Sequence, residues 1–233
     1  FADFWNAECC YSIPSTGGAM GGPIEFGGII VENKGWGKFN GWGQMKPTLD
    51  IYNEMAKDNW ETNEDGSVKK NDRLAKSILE YGDKFMYFGE ERLFWSTSDI
   101  EAGFMINKYM DALKHSDPEG MGYLVPNADW PCTRVNFHLI RFADLKLLRA
   151  EAYLNKQQGD KAADDINDIR LRSNLKPLTG NATWTDLYHE RRCELAFEMA
   201  DHLHDLKRWA VSGDPEIKAL AIAELEKHPD VRN

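Results

Sequence analysis

The run from Leu139 to Tyr153 (Leu-Ile-Arg-Phe-Ala-Asp-Leu-Lys-Leu-Leu-Arg-Ala-Glu-Ala-Tyr) constrains this chain more than any other stretch. Ile140, Ala143, Leu147, Ala150 and Leu154 recur at steps of three and four, which puts them on one face of an amphipathic helix. Gly159 reads as the end of that helix. Ala162, Ile166 and Ile169 then repeat the pattern. Two helices joined by a short link run antiparallel, and small alanines let their axes come close. A hairpin of this kind is the building unit of tetratricopeptide-type arrays. Such arrays need about three units to be stable. One is legible here, so its partner helices are expected from elsewhere.

A third helix is expected to begin near Thr183 or Thr185, because Thr183-Trp-Thr-Asp186 has the spacing of a capping box. Leu195, Met199, Leu203 and Leu206 supply its apolar stripe. Trp184 and Trp209 sit with helices and are assigned to the core. Asp214-Pro215 reads as the start of a last helix, since proline suits the first helical position.

The chain ahead of residue 134 is different. It is rich in glycine, loops and aromatic residues, with Gly17-Gly18, Gly21-Gly22-Pro23 and Gly35-Trp-Gly-Lys-Phe-Asn-Gly-Trp-Gly43 as punctuation. Pro47 to Ala56 can open a helix with Leu49, Tyr52 and Met55 on one side. Asn59 to Asp72 is a polar turn region around Asn63-Glu-Asp-Gly66. Leu74 to Tyr81 is a short apolar run, and Phe85 to Phe88 reads as a strand. Lys114 to Thr133 is a long loop. The expected fold is therefore mainly α, with long irregular loops and a few short strands. Residues 1–133 form a loop-rich, aromatic part and residues 134–233 a helical scaffold of the same domain.

Charge narrows the function. Of 233 residues, 38 are acidic and 28 are Lys or Arg, a net charge of −10. No basic stripe offers itself to a phosphate backbone, so nucleic acid is not an expected partner. No stretch approaches the ~20 apolar residues that span a bilayer. The chain opens at Phe1, without Met and without a signal peptide, and reads as a trimmed piece. Cys9, Cys10, Cys132 and Cys193 form no Cys-x-x-Cys, and adjacent cysteines such as Cys9 and Cys10 rarely bond each other. Buried free thiols are the favoured reading. His189-Glu190-Arg-Arg-Cys193 stops short of the zinc-protease His-Glu-x-x-His pattern, and His202 and His204 face different ways. A half-buried or surface histidine is the better account, and no metal or cofactor is expected. No Gly-x-Ser-x-Gly elbow or phosphate loop is present. A paired carboxylate for glycoside hydrolysis cannot be singled out among so many acids.

The aromatic residues give the stronger lead. Sugars present apolar C–H faces on which flat rings stack while polar groups bond the hydroxyls. Trp36 and Trp42 are each framed by glycines, and Trp95, Tyr123 and Trp130 lie in or beside loops. These five are the candidate ligand contacts. For any one of them, packing into a small core is the competing role.

The helical signature resembles the SusD/RagB family of outer-membrane lipoproteins that capture glycans or other nutrients. The matching residues are Arg141-Phe-Ala-Asp-Leu145, Ala150-Glu-Ala152, Ala162 and Asn167-x-x-Arg170-x-Arg172. Glu190-Arg-Arg-x-Glu-Leu-Ala-Phe-Glu198 and Asp205-Leu-Lys-Arg-Trp209 follow. Upstream, Gly41-Trp-Gly43, Pro47-Thr48, Asn71-Asp72-Arg73, and Gly103 with Lys108-Tyr109 fit as well. Ala221-Ile-Ala223 and Pro229 to Asn233 are a degenerate version of the terminal region. The departures are Met199-Ala200 in place of a glycine, His202 in place of an arginine, and Ala221 and Ala223 in place of prolines.

The resemblance implies a non-enzymatic protein that sits like a lid over a SusC-like TonB-dependent transporter and passes oligosaccharide into the barrel. It implies the outer membrane and cell surface of a Gram-negative bacterium, with a lipid anchor on the N-terminal part. Family members are about twice as long, so the chain resembles a C-terminal half whose partner helices lie in the other half. The motif helices organise the fold, and ligand contacts come from variable loops that do not transfer by motif. The rival expectations are a helical-repeat adaptor that binds only protein and, least favoured, a glycoside hydrolase.

Overall fold

The computed structural model describes residues 7–13, 46–87, 90–94, 103–108, 136–198 and 202–227. The chain resolves into two compact units, Phe1–Leu139 and Ile140–Asn233.

In the first unit the described elements are short. Helix α1 (Leu49–Ala56) starts at Thr48, whose side chain accepts from the Ile51 backbone N–H. Of its expected apolar face, Met55 is buried and Tyr52 half-buried, but Leu49 is exposed. The polar turn region folds into a small antiparallel hairpin, β2 (Glu61–Thr62) with β3 (Val68–Lys69), closed at Gly66 with φ +82°. Helix α2 (Asp72–Ser77) is capped by Asn71, which accepts from the Leu74 N–H at 2.9 Å. Its Nδ2 also donates to the Met55 carbonyl at 2.9 Å, fastening α2 to α1.

Strand β4 (Ile78–Glu80) continues directly from α2, β5 is Lys84–Tyr87, β6 Glu90–Leu93 and β7 Phe104–Ile106. Strands β4 and β7 pair antiparallel, Leu79 opposite Met105, and β5 pairs β6, Phe85 opposite Arg92. The strand expected over Phe85 to Phe88 is thus present as β5; Phe88 itself lies outside the described residues. Strand β1 (Cys9–Ile13) pairs with β8 (Phe137–Arg141), which leads the chain into the second unit. Cys9, Cys10 and Cys193 are free thiols, but only Cys193 is buried. Cys10 is exposed, as is Tyr11 beside it on β1. Cys132 lies outside the described residues.

The second unit is helical: α3 (Phe142–Asn155), α4 (Gly159–Arg172), α5 (Trp184–Glu194), α6 (His202–Ala210) and α7 (Pro215–Lys227). Among the described residues the chain is mainly α, as its periodicity implied. Ala143, Leu147 and Ala150 of α3 meet Ala162, Ile166 and Ile169 of α4 in one core that also takes Trp184, Leu187 and Trp209. Arg149 of α3 pairs with Asp165 of α4, and Lys146 with Asp168, so the two helices run antiparallel.

Three expectations are corrected here. Ile140 does not belong to the buried stripe: it lies in β8 and is 40% exposed, because the backbone stays extended through Arg141 (φ −113°, ψ 157°). Gly159 does not end α3 but begins α4. The ending is made by Gln157 at φ +56°, with Gln157 N–H donating to the Leu154 carbonyl and Gln158 N–H to the Tyr153 carbonyl, both 2.9 Å. Gly159 is needed for close approach, since a Cβ there would lie 2.8 Å from the Ala182 carbonyl oxygen. Finally, the third helix is two helices. The capping box at Thr183 and Asp186 forms, but α5 stops at Glu194 and α6 starts at His202. Phe197, at φ +66°, turns the chain between them. Leu195 caps α5 and Leu206 is buried in α6, while Met199 lies outside the described residues.

Candidate functional site

Among the described residues of the first unit Tyr81, Trp60 and Tyr11 present aromatic side chains outward, 41%, 46% and 59% exposed, and Tyr81 and Trp60 stand beside built polar structure. Tyr81 stands on the turn Glu80–Asp83, where the Asp83 N–H donates to the Glu80 carbonyl at 3.0 Å and Gly82 takes φ +91°. Its ring stacks on buried Phe94 with centroids 5.1 Å apart. Gly103 passes so close that a Cβ there would reach the ring at 3.3 Å. Trp60 follows Asn59, whose Oδ1 accepts from both the backbone and the side-chain amide of Asn71 at 2.8 Å. Sequence reasoning passed over both residues. The available signal was a bulky aromatic next to a turn former, Tyr81-Gly82 and Asn59-Trp60.

Beside Tyr81, Glu80 and Asp83 share Lys70, whose ammonium lies 3.0 Å from Glu80 and 2.7 Å from Asp83. The Tyr52 hydroxyl donates to Glu80 at 2.5 Å, and its ring stacks on Phe104 at 4.7 Å. Burial, and then the Glu80 carboxylate, push the Tyr52 phenol above its ordinary value, so it remains a donor at neutral pH. Both carboxylates are tied to one cation. That makes an ordered polar surface beside the Tyr81 ring. On β1 and β8, Ser12 Oγ lies 2.8 Å from Nδ1 of buried His138, a bond that joins the two strands.

Trp36, Trp42, Trp95, Tyr123 and Trp130, the ligand contacts expected from sequence, all lie outside the described residues, as does the loop Lys114 to Thr133. Trp184 and Trp209 are core residues, 5% and 1% exposed. His189 is half-buried, with Cys193 Sγ 3.8 Å from its Nδ1. Among the described residues no cluster of three or more His, Cys, Asp or Glu is arranged to hold a metal ion, and no helix is long and apolar enough to cross a membrane.

The motif residues of the second unit do something else: they form a lattice of interior ion pairs. Arg141 donates through Nε to Glu198 at 2.6 Å and through Nη2 to Glu198 at 2.8 Å and Glu194 at 2.9 Å. Glu194 also accepts from Arg172. Arg170 reaches Glu190, which is fully buried, at 3.0 Å, and the Lys176 carbonyl at 2.7 Å. Arg191 joins Asp144 of α3 at 2.9 Å to Asp205 of α6 at 2.8 Å. Asn167 clamps the α4–α5 loop, accepting from the Leu178 N–H at 2.6 Å. Burial works against the Arg141 charge, but Glu198 and Glu194 overcome it and hold the guanidinium above its ordinary value. These groups pair inside the unit and hold the helices in place.

Fold and lattice together define the second unit as a helical scaffold built on the α3–α4 hairpin. The chain belongs to the SusD family, whose model matches residues 15–230. A SusD superfamily protein from Bacteroides vulgatus is 25% identical, with 88% of this chain and 41% of that one covered at a TM-score of 0.57. A SusD-like protein from Bacteroides fragilis superposes with a TM-score of 0.65 at 18% identity, covering 90% of this chain and 46% of that one. Surface glycan-binding protein A from Bacteroides thetaiotaomicron gives 0.58 at 18% identity, covering 91% and 45%. The chain thus spans less than half the length of the solved structures it matches. No curated protein matches it.

Proposed function

We propose that this chain is part of a non-catalytic cell-surface protein that binds oligosaccharide or polysaccharide and hands it to a SusC-like TonB-dependent transporter in the outer membrane. The observation that carries the reading is the SusD-family match over residues 15–230. The likeness to a surface glycan-binding protein supports the same ligand class. Residues 1–133 are the ligand-facing part and residues 134–233 the scaffold, with a lipid anchor on an N-terminal portion of the longer protein. Trp36, Trp42, Trp95, Tyr123 and Trp130 are the rings assigned to sugar faces, and Tyr81 and Trp60 join them as exposed aromatics beside polar structure.

Isothermal titration of the chain against a panel of soluble polysaccharides tests this, with reducing ends assayed in the same samples. Binding to at least one glycan without release of reducing ends is expected. Trp36→Ala or Trp42→Ala should weaken it by about tenfold or more, the effect of removing an anchoring aromatic. Accumulating reducing ends would make it a hydrolase. Retention on a transporter barrel with no response to any glycan would make it an adaptor.

A further inference from the structure

The two thiols on β1 are not equivalent. Cys10 is exposed, and its Sγ reaches the Glu8 carbonyl at 3.9 Å, an acceptor that does not take up a proton at neutral pH. Cys9 is half-buried, and its Sγ is a hydrogen-bond partner of Ser12 Oγ. Ser12 Oγ in turn lies 2.8 Å from His138 Nδ1, across the pairing of β1 with β8. His138 is 3% exposed and 126 residues away in sequence, so the fold makes this alignment and neighbouring residues do not. A hydroxyl can accept one proton while giving up another. Thiol, hydroxyl and imidazole in that order join a nucleophile to a base through one intermediary. Exposure favours Cys10, whereas proton transfer favours Cys9.

We propose that Cys9 is a site of thiol–disulfide exchange with small disulfides, and that Ser12 passes its proton to His138. Nδ1 is then the unprotonated ring nitrogen: Ser12 donates to it, and the Cys9 thiol donates to Ser12. The thiolate is the attacking species in such an exchange. The Cys9 sulfur attacks one sulfur of the disulfide as its proton moves to Ser12 Oγ and the Ser12 proton moves to Nδ1. A bond forms between Cys9 and the attacked sulfur, and the S–S bond of the small disulfide breaks. The other sulfur leaves as a thiolate, and the proton held on His138 neutralises it by return through Ser12. Cys9 is oxidised and the leaving sulfur reduced, so no further oxidant is needed. The site is independent of the family match and of any glycan.

The probe is bis(hydroxyethyl) disulfide, which is neutral, so the net charge of −10 does not favour one thiol over the other. Mixed-disulfide formation is followed by peptide mass mapping in the 233-residue chain carrying either Cys10→Ser or Cys9→Ser, which reads each β1 thiol alone. Cys9 should react faster than Cys10 by about tenfold or more. Ser12→Ala should bring Cys9 down to about the Cys10 rate and leave Cys10 unchanged. Ser12→Thr keeps the hydroxyl and should keep the fast reaction. A Ser12→Ala chain that had merely loosened β1 would uncover Cys9 and speed its reaction, the opposite sign. Cys10 reacting as fast as Cys9 or faster overturns the proposal, as does a Cys9 rate that Ser12→Ala leaves unchanged or raises.

Discussion

Replacing Arg141 with methionine tests whether the ion-pair lattice holds the second unit together. Arg141 and Arg172 face Glu194 and Glu198, two charges of each sign, and the Arg141, Glu194 and Glu198 side chains are 8%, 5% and 3% exposed. Methionine fills most of the arginine's space but removes the guanidinium that Glu198 and Glu194 share, taking one positive charge out of the protein's interior. Breaking one partner out of a buried pair costs about 3–5 kcal/mol. For a chain of this size each kcal/mol moves the melting temperature by about 2–4 °C, so Arg141→Met should lower it by about 6–20 °C in a calorimetric scan. Adding Glu198→Leu should restore most of the loss, because an apolar pair of similar volume replaces a buried ion pair at little cost. Lys84 and Glu91 provide the contrast: they pair at 2.9 Å with side chains 68% and 60% exposed. Lys84→Met should change stability by less than about 0.5 kcal/mol. A drop below 2 °C for Arg141→Met, or a double variant less stable than the single one, would refute the reasoning.

Three further outcomes follow from the helix ends and the core. Gly159→Ala places a Cβ against the Ala182 carbonyl oxygen at 2.8 Å, an overpacking against backbone that should cost about 1–3 kcal/mol in a urea titration. Gln157→Gly removes a side chain from an exposed position at φ +56° and should stabilise by roughly 0.5–1 kcal/mol; a loss there would mean the Gln157 side chain contributes more than its strain costs. His202 gives a pH signature. Burial, followed by the charge of Arg192, holds its imidazole below the ordinary value, against the pull of Asp205 and Glu224, and its Nε2 is buried without a hydrogen-bond partner. The unfolded chain therefore takes up that proton at a higher pH than the folded one. The associated stability is complete above about pH 6.5 and is lost as pH falls toward the depressed folded value. His202→Gln should flatten the fall in urea midpoint between pH 7.5 and 5.5; an unchanged slope would show that other groups set it.

The local signals were legible wherever one segment determines its own structure. The capping box at Thr183, the start of α7 at Asp214-Pro215, the α3–α4 stripes and the core positions of Trp184 and Trp209 could all be read from spacing and residue type. The misses share a cause. Nothing in Leu195-Ala-Phe-Glu198 breaks a helix locally: there is no glycine or proline, and the apolar steps run on to Leu206. Phe197 adopts φ +66° between the α5 cap and Glu198, and Glu198 is held by Arg141 across more than fifty residues of sequence. Likewise Gly159 looks like a helix stop until the Ala182 carbonyl is brought beside it. The exposure of Tyr81 depends on a turn and a stack with Phe94, neither of which periodicity displays.

The charged residues that made the family recognisable also explain why they say little about the ligand. Arg141, Arg170 and Arg191 have carboxylate partners within 3.0 Å, and Glu190, Glu194 and Glu198 accept from those arginines inside the unit. A group whose hydrogen-bonding capacity is taken up in the interior has little left to offer a sugar. The same low-dielectric setting that makes each pair costly to break makes it costly to alter one member alone. Long-range pairing of this kind holds together a signature spread from Arg141 to Trp209, whereas Tyr81 and Trp60 lie in the first unit. Changing Tyr81 or Trp60 should therefore alter recognition with little effect on the second unit. Changing Arg141 should destabilise that unit whatever ligand is present.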